Sequence, residues 1–215
     1  MALRLNPYHE PFSTTLSLSP SSMDALTAPA CSVTPELYHD LVHYFKYASS
    51  AYSAICLRPN GKKLVMPFAN ISGDIQGYVA RDDDRREIIV AFRGSASIMA
   101  FIADASLVLV PFVASSIKAP PGVRVHSGFL LSWDSVQAAV RMIVSQQLKS
   151  HANYTIVTSG HSLGGVLALF CAIALKQHHP STAVRTYSYG APRAGNAKFA
   201  TFVNDIFGKN AYRGM

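Results

Sequence analysis

The amino-acid sequence predicts an α/β fold in which a mostly parallel sheet is covered by helices on both faces, and three observations carry that expectation. Strand-like runs alternate with helical stretches of ten or more residues, the pattern of βα units. One of these strands enters a glycine-containing turn and leaves it as an apolar helix. The chain has 215 residues, 49% hydrophobic and only 14% charged, enough to bury one sizeable core and a better fit to one folded domain than to two.

Residues 1–34 read as a flexible leader, because from residue 11 onward they are rich in Ser, Thr and Pro and show no sustained period. The folded domain is expected over residues 35–215. It opens with a helix whose apolar face is Leu37, Leu41, Val42, Tyr44, Phe45, Ala48 and Ala51, recurring at three-to-four-residue spacing. Lys62 to Phe68 and Ile75 to Ala80 read as short strands. The run Asp82-Asp83-Asp84-Arg85-Arg86 reads as a turn, and the β-branched run Glu87 to Phe92 as the second arm of a hairpin. Phe129 to Leu148 has helical periodicity through Leu131, Trp133, Val136, Val140, Ile143 and Leu148. Then come a strand at Tyr154 to Thr158, a helix at Val166 to Lys176, a strand at Val184 to Tyr189 and a last helix from about Asn196 to Ile206. There is no internal repeat.

The formal net charge of +7 would suit an anionic partner, but no run of Lys and Arg exceeds a pair and no basic stripe is interleaved with aromatics. A basic surface is the plainer reading, and nucleic acid is not expected as a partner. The most apolar stretch, Ile98 to Val113, is interrupted by Asp104 and Pro111 and falls short of the roughly 20 residues a bilayer span needs, so no transmembrane segment is expected. No signal peptide is visible, since Asn6-Pro7-Tyr8-His9-Glu10 interrupts any apolar region near the start. Three cysteines do not make a disulfide scaffold or a zinc site; Cys171 reads as a buried thiol, and Cys31 with Cys56 either pair or stay free. Neither a metal nor a cofactor is expected, and nothing sets the oligomeric state.

The chemistry is carried by Gly160-His161-Ser162-Leu163-Gly164, a G-x-S-x-G pattern in which a strained strand-to-helix turn lifts a serine hydroxyl to the carboxyl end of a sheet. Five letters arise by chance in many chains. Here a β-rich run leads into them and an Ala/Leu-rich helix leaves, which is the setting the mechanics require. Ser162 is therefore the expected nucleophile of an α/β-hydrolase-type enzyme. His161, its immediate neighbour at a sharp turn, reads as a packed histidine rather than as the base. His178 and His179 read as exposed groups complementing a helix dipole.

Three blocks extend the pattern: Val90-Ala91-Phe92-Arg93-Gly94-Ser95, then Val125-His126-Ser127-Gly128-Phe129, and the elbow followed by Tyr189-Gly190-Ala191-Pro192-Arg193-Ala194-Gly195-Asn196. In order and spacing they resemble the class 3 lipase family, the fungal triacylglycerol lipases and their feruloyl-esterase relatives, over roughly Leu37 to Tyr212. The resemblance implies a carboxylic-ester hydrolase acting on lipid esters through an acyl-enzyme, an extracellular location, and a lipid–water interface as its working surface. It places Ser95, by backbone N–H and hydroxyl, and Leu163, by backbone N–H, at the oxyanion hole. Asp104 matches a family carboxylate that orients the Ser95 hydroxyl, or is an ordinary loop aspartate. Ile98, Met99, Phe101 and Ile102 fall in the family's lid segment, or are plain core. Arg93 reads as a structural residue closing its strand.

α/β-Hydrolases supply the triad in the order Ser, Asp or Glu, His. After Ser162 this sequence has one carboxylate side chain, Asp205, and no histidine follows it. The expected fold is accordingly incomplete at its C-terminus, with neither acid nor base in the required order. The alternatives to a lipid-ester hydrolase are then an inactive hydrolase-like fragment or binding protein, or a feruloyl-type esterase in a full-length form.

Overall fold

Residues 33–71, 73–95 and 108–214 are described by the computed structural model, and contacts divide the chain between Thr34 and Pro35, so the elements below belong to the second unit. Helix α1 (Pro35–Ser50) is followed by strands β1 (Lys63–Asn70), β2 (Ile75–Asp82) and β3 (Glu87–Phe92). A short ribbon, β4 (Leu109–Pro111) with β5 (Arg124–His126), leads directly into helices α2 (Ser127–Asp134) and α3 (Gln137–Ser150). Strand β6 (Thr155–His161), helix α4 (Leu163–His178), strand β7 (Val184–Tyr189), helix α5 (Ala197–Phe207) and strand β8 (Ala211–Gly214) complete the order.

The main sheet runs β1-β2-β3-β6-β7-β8. β1 and β2, and β2 and β3, pair antiparallel, while β3/β6, β6/β7 and β7/β8 are parallel. The hairpin read at Asp82 to Arg86 is there, with Asp82 opposite Glu87 and Arg86 at φ 55°. β3 is buried along its whole length because both faces are covered, and the strand period divides its side chains between them. Ile88, Val90 and Phe92 pack in the core beneath α2, α3 and α4. Ile89 and Ala91 face α1 with Tyr44, Tyr47, Tyr78, Val157 and Tyr187.

The α1 side is a tyrosine-rich core, and each buried phenol must find a polar partner to be stable there. Tyr44 donates to the Glu87 carboxylate at 2.8 Å, Tyr47 to Asp82 at 3.3 Å and Tyr78 to the Tyr47 carbonyl at 2.7 Å. Arg185 of β7 closes the cluster by pairing with Glu87. This polar layer lies at the ends of the parallel strands opposite the elbow. The face of α1 therefore differs in part from the sequence expectation: Tyr44, Ala48 and Ala51 are buried as read and Tyr47 joins them, whereas Val42 and Phe45 are exposed. Buried carboxylates attract the tyrosines, which selects a face that hydrophobicity alone does not.

Asp82 has a fully buried side chain, and although burial pushes its pKa up, the Arg85 and Asp84 N–H groups and Lys62 hold it below the ordinary 3.8. A depressed carboxylate stabilises the fold above its unfolded pKa, and that contribution is lost as pH falls through the folded value. Asp82→Asn is expected to cost about 1.5–3 kcal/mol at pH 7, the range for hydrogen bonds to charged groups. It should also flatten the fall in stability below pH 3.8. Urea midpoints measured from pH 7 down to pH 2 check both; a parallel offset at every pH would contradict the linkage.

Two more expectations change. The stretch read as one helix is two, broken at Ser135-Val136, where Val136 leaves helical geometry (φ −124°, ψ −13°) and the Ser135 hydroxyl turns back to the Ser132 carbonyl at 2.8 Å. Leu131, read on the apolar face, is 70% exposed. The β4/β5 ribbon and β8 carried no readable period, being three and four residues long. Cys31 lies outside the described residues; Cys56 and Cys171 carry free thiols, the latter buried and pushed up in pKa by that burial.

Candidate active site

Strand β6 extends through His161 and helix α4 begins at Leu163, so the turn between them is the single residue Ser162. Ser162 adopts φ 56°, ψ −126°, a backbone conformation that a residue with a Cβ rarely takes and that persists only when its surroundings impose it. Here they do. The Ser162 N–H donates to the Tyr189 carbonyl at 2.8 Å, and its own carbonyl accepts from the Gly165 N–H at 3.0 Å. A Cβ on Gly160 would overlap the Gly164 carbonyl, and one on Gly165 would lie 2.9 Å from the Ala191 Cβ. The two outer glycines and Gly165 let strand, turn and helix approach this closely.

Leu163 is the first residue of α4, and the N–H groups of a helix's first turn have no partner within the helix. They point, with the positive end of the helix dipole, to the same end of the sheet as Ser162. β3 delivers the second set of groups beside the elbow, since Phe92 is in register with Gly160 on β6. A Cβ on Gly94 would lie 2.8 Å from the His161 carbonyl and 3.1 Å from the Ser162 Cβ. Ser95 follows one residue on. Its hydroxyl donates to Asp74 at 3.0 Å. A hydroxyl has one hydrogen, so while directed at Asp74 it is not directed at an oxyanion.

Asp74, on the β1–β2 turn with φ 50°, also pairs with Arg93, which reaches Gln76 at 3.3 Å. Arg93 is thus tied to neighbouring protein groups, in keeping with a structural role. Asp104, Ile98, Met99, Phe101 and Ile102 lie outside the described residues. His161, read as packed, is instead exposed and engages the Tyr52 hydroxyl through Nδ1 at 2.6 Å. Tyr52 also accepts from the Gly94 N–H at 3.2 Å. Neither Asp74 nor Tyr52 was visible from sequence, because each meets the site across more than 20 residues of chain with no local spacing to mark it.

His178 and His179 stand at the other end of α4, against Arg141 and Ser145. Asp205 is exposed on α5. Among the described residues no group of three or more His, Cys, Asp or Glu is placed to hold a metal ion, and no helix is long and apolar enough to cross a membrane.

A mixed, mostly parallel sheet, covered by helices and carrying a serine on a one-residue turn between a central strand and a helix, defines an α/β-hydrolase-type protein. The chain belongs to the class 3 lipase family, whose profile matches residues 89–215. It is 34% identical over 182 residues to a lipase from Rhizopus niveus, an alignment covering 83% of this chain and 42% of that protein. It is 30% identical over 195 residues to secreted mono- and diacylglycerol lipase 1 of Fusarium solani, covering 83% of this chain and 56% of that one. A solved triacylglycerol lipase, described as having a serine protease triad at its catalytic centre, superposes with a TM-score of 0.73 at 31% identity, over 84% of this chain and 71% of its own. The chain therefore spans about two fifths of the Rhizopus niveus relative's length.

Proposed function

We propose that this chain carries the nucleophile of an extracellular carboxylic-ester hydrolase that acts on lipid esters such as acylglycerols. The observation that carries the reading is Ser162 held at positive φ between a buried parallel strand and the start of α4. In that position its hydroxyl would attack an ester carbonyl and form an acyl-enzyme that water then hydrolyses. The developing oxyanion would be met by the Leu163 N–H and by Ser95, through its N–H or through a hydroxyl turned from Asp74. Each such donor is typically worth about 3 kcal/mol of barrier. Relatives named as lipases, two of them as secreted mono- and diacylglycerol lipases, support the substrate class and the location.

A second reading is favoured by where the histidines after Ser162 stand, at the far end of α4. In it, residues 1–215 bind an ester without turning it over.

The test is covalent labelling. A fluorophosphonate ester added to the full-length native protein is expected to modify Ser162 alone, with Ser162→Ala unlabelled. Peptide mass mapping that placed the adduct on Ser95 or Ser127 would remove the assignment.

A further inference from the structure

Tyr52 joins the two halves of the site. It sits just past α1, and its backbone is fixed to β2 on either side: Gln76 Nε2 donates to the carbonyls of Ala51 and Ser53, both at 3.2 Å. The residue is 46% exposed, so burial alone does not explain where its hydroxyl ends. A phenol has one hydrogen to donate and lone pairs to accept. The Gly94 N–H donates to this oxygen at 3.2 Å, and the hydroxyl meets His161 Nδ1 at 2.6 Å. Gly94 precedes Ser95 and His161 precedes Ser162. One hydroxyl therefore cross-links the two segments that carry the oxyanion group and the nucleophile, at a point where Gly94 has room for no side chain.

We infer that Tyr52 is a positioning residue, which with His161 sets the separation between the Ser95 segment and Ser162. The inference rests on the ester-hydrolase reading of Ser162. Gly94 donates to Tyr52, so the plane of the peptide before Gly94 is fixed, and with it the direction in which the chain presents Ser95. Deleting the hydroxyl leaves both segments in place but lets them shift against each other. A displacement of about 1 Å in such a site can cost 10²-fold in rate.

The experiment measures kcat and KM of the full-length native protein on a soluble short-chain ester. Tyr52→Phe keeps the ring and is expected to lower kcat about 10- to 100-fold, with KM and the thermal midpoint close to wild type. His161→Ala should do the same, and the double variant should lose no more than either single one, since both remove one cross-link. His161→Asn, which keeps an acceptor near the Nδ1 position, should recover most of the rate. A Tyr52→Phe effect confined to KM would make Tyr52 a substrate-lining residue and overturn the inference, as would unchanged kinetics or losses that multiply. If the wild type shows no turnover sensitive to Ser162→Ala, the ester-hydrolase reading falls and takes this inference with it. A Ser162-dependent wild type beside an unaffected Tyr52→Phe sinks the inference alone.

Discussion

A polypeptide of residues 1–215 is expected to hydrolyse esters about 10⁶-fold more slowly than a form in which an Asp and a His follow β8. That factor is the scale of removing the base from a serine triad. A serine hydroxyl is a weak nucleophile at neutral pH and needs a base within about 3 Å, or one bridging water, to take its proton. His178 is 16 residues along α4 from Ser162, which at 1.5 Å per residue is about 24 Å. His179 is one residue further and bonds Ser145. His161 is adjacent in sequence, but its Nδ1 engages Tyr52. His126 ends β5 with its ring against Phe129, 4.7 Å between centroids. The oxyanion donors would still act, leaving roughly 10³ to 10⁴ over water. Turnover of a soluble ester by both forms decides the matter. Comparable rates, abolished in each by Ser162→Ala, would place a working base within residues 1–215 and make His126 and His161 the next positions to substitute.

The central elements were legible because their signals are local. β3 and β7 occupy the predicted runs Glu87–Phe92 and Val184–Tyr189 to the residue, since β-branched runs bounded by turn residues have few other uses. The elbow was legible for a different reason, as two glycines flank a strained serine in a strand–turn–helix setting. What stayed hidden depends on contacts distant in sequence. The face α1 buries is decided by Glu87 and Asp82, which lie 43 and 35 residues from the tyrosines they accept from. The hydrogen bond between Tyr52 and His161 spans 109 residues. Asp74 meets Ser95 only because β2 pairs antiparallel with β3, bringing the β1–β2 turn to the end of β3 where the Ser95 segment begins. In each case a side chain's partner is set by sheet register, and register follows from the whole fold.

Gly160→Ala should be the most damaging single methyl group in the described chain near the site, costing about 3 kcal/mol or more, at or beyond the usual range for overpacking. The added Cβ would overlap the carbonyl of Gly164 and approach the Gly165 nitrogen to 2.8 Å. Both are backbone atoms of the first turn of α4, so no rotamer change can relieve the overlap. Either α4 lifts from β6, opening the core that Leu167, Ala168 and Cys171 fill, or the strand end moves and releases Ser162 from its strained conformation. Stability and site geometry should fall together. Gly73→Ala is the comparison, because a Cβ there finds its nearest atom at 3.4 Å, ordinary van der Waals contact, and should leave the urea midpoint near wild type. Equal midpoints for Gly160→Ala and Gly73→Ala would mean that α4 does not pack on the elbow as closely as described. The close approach that holds Ser162 at φ 56° would then have to come from elsewhere.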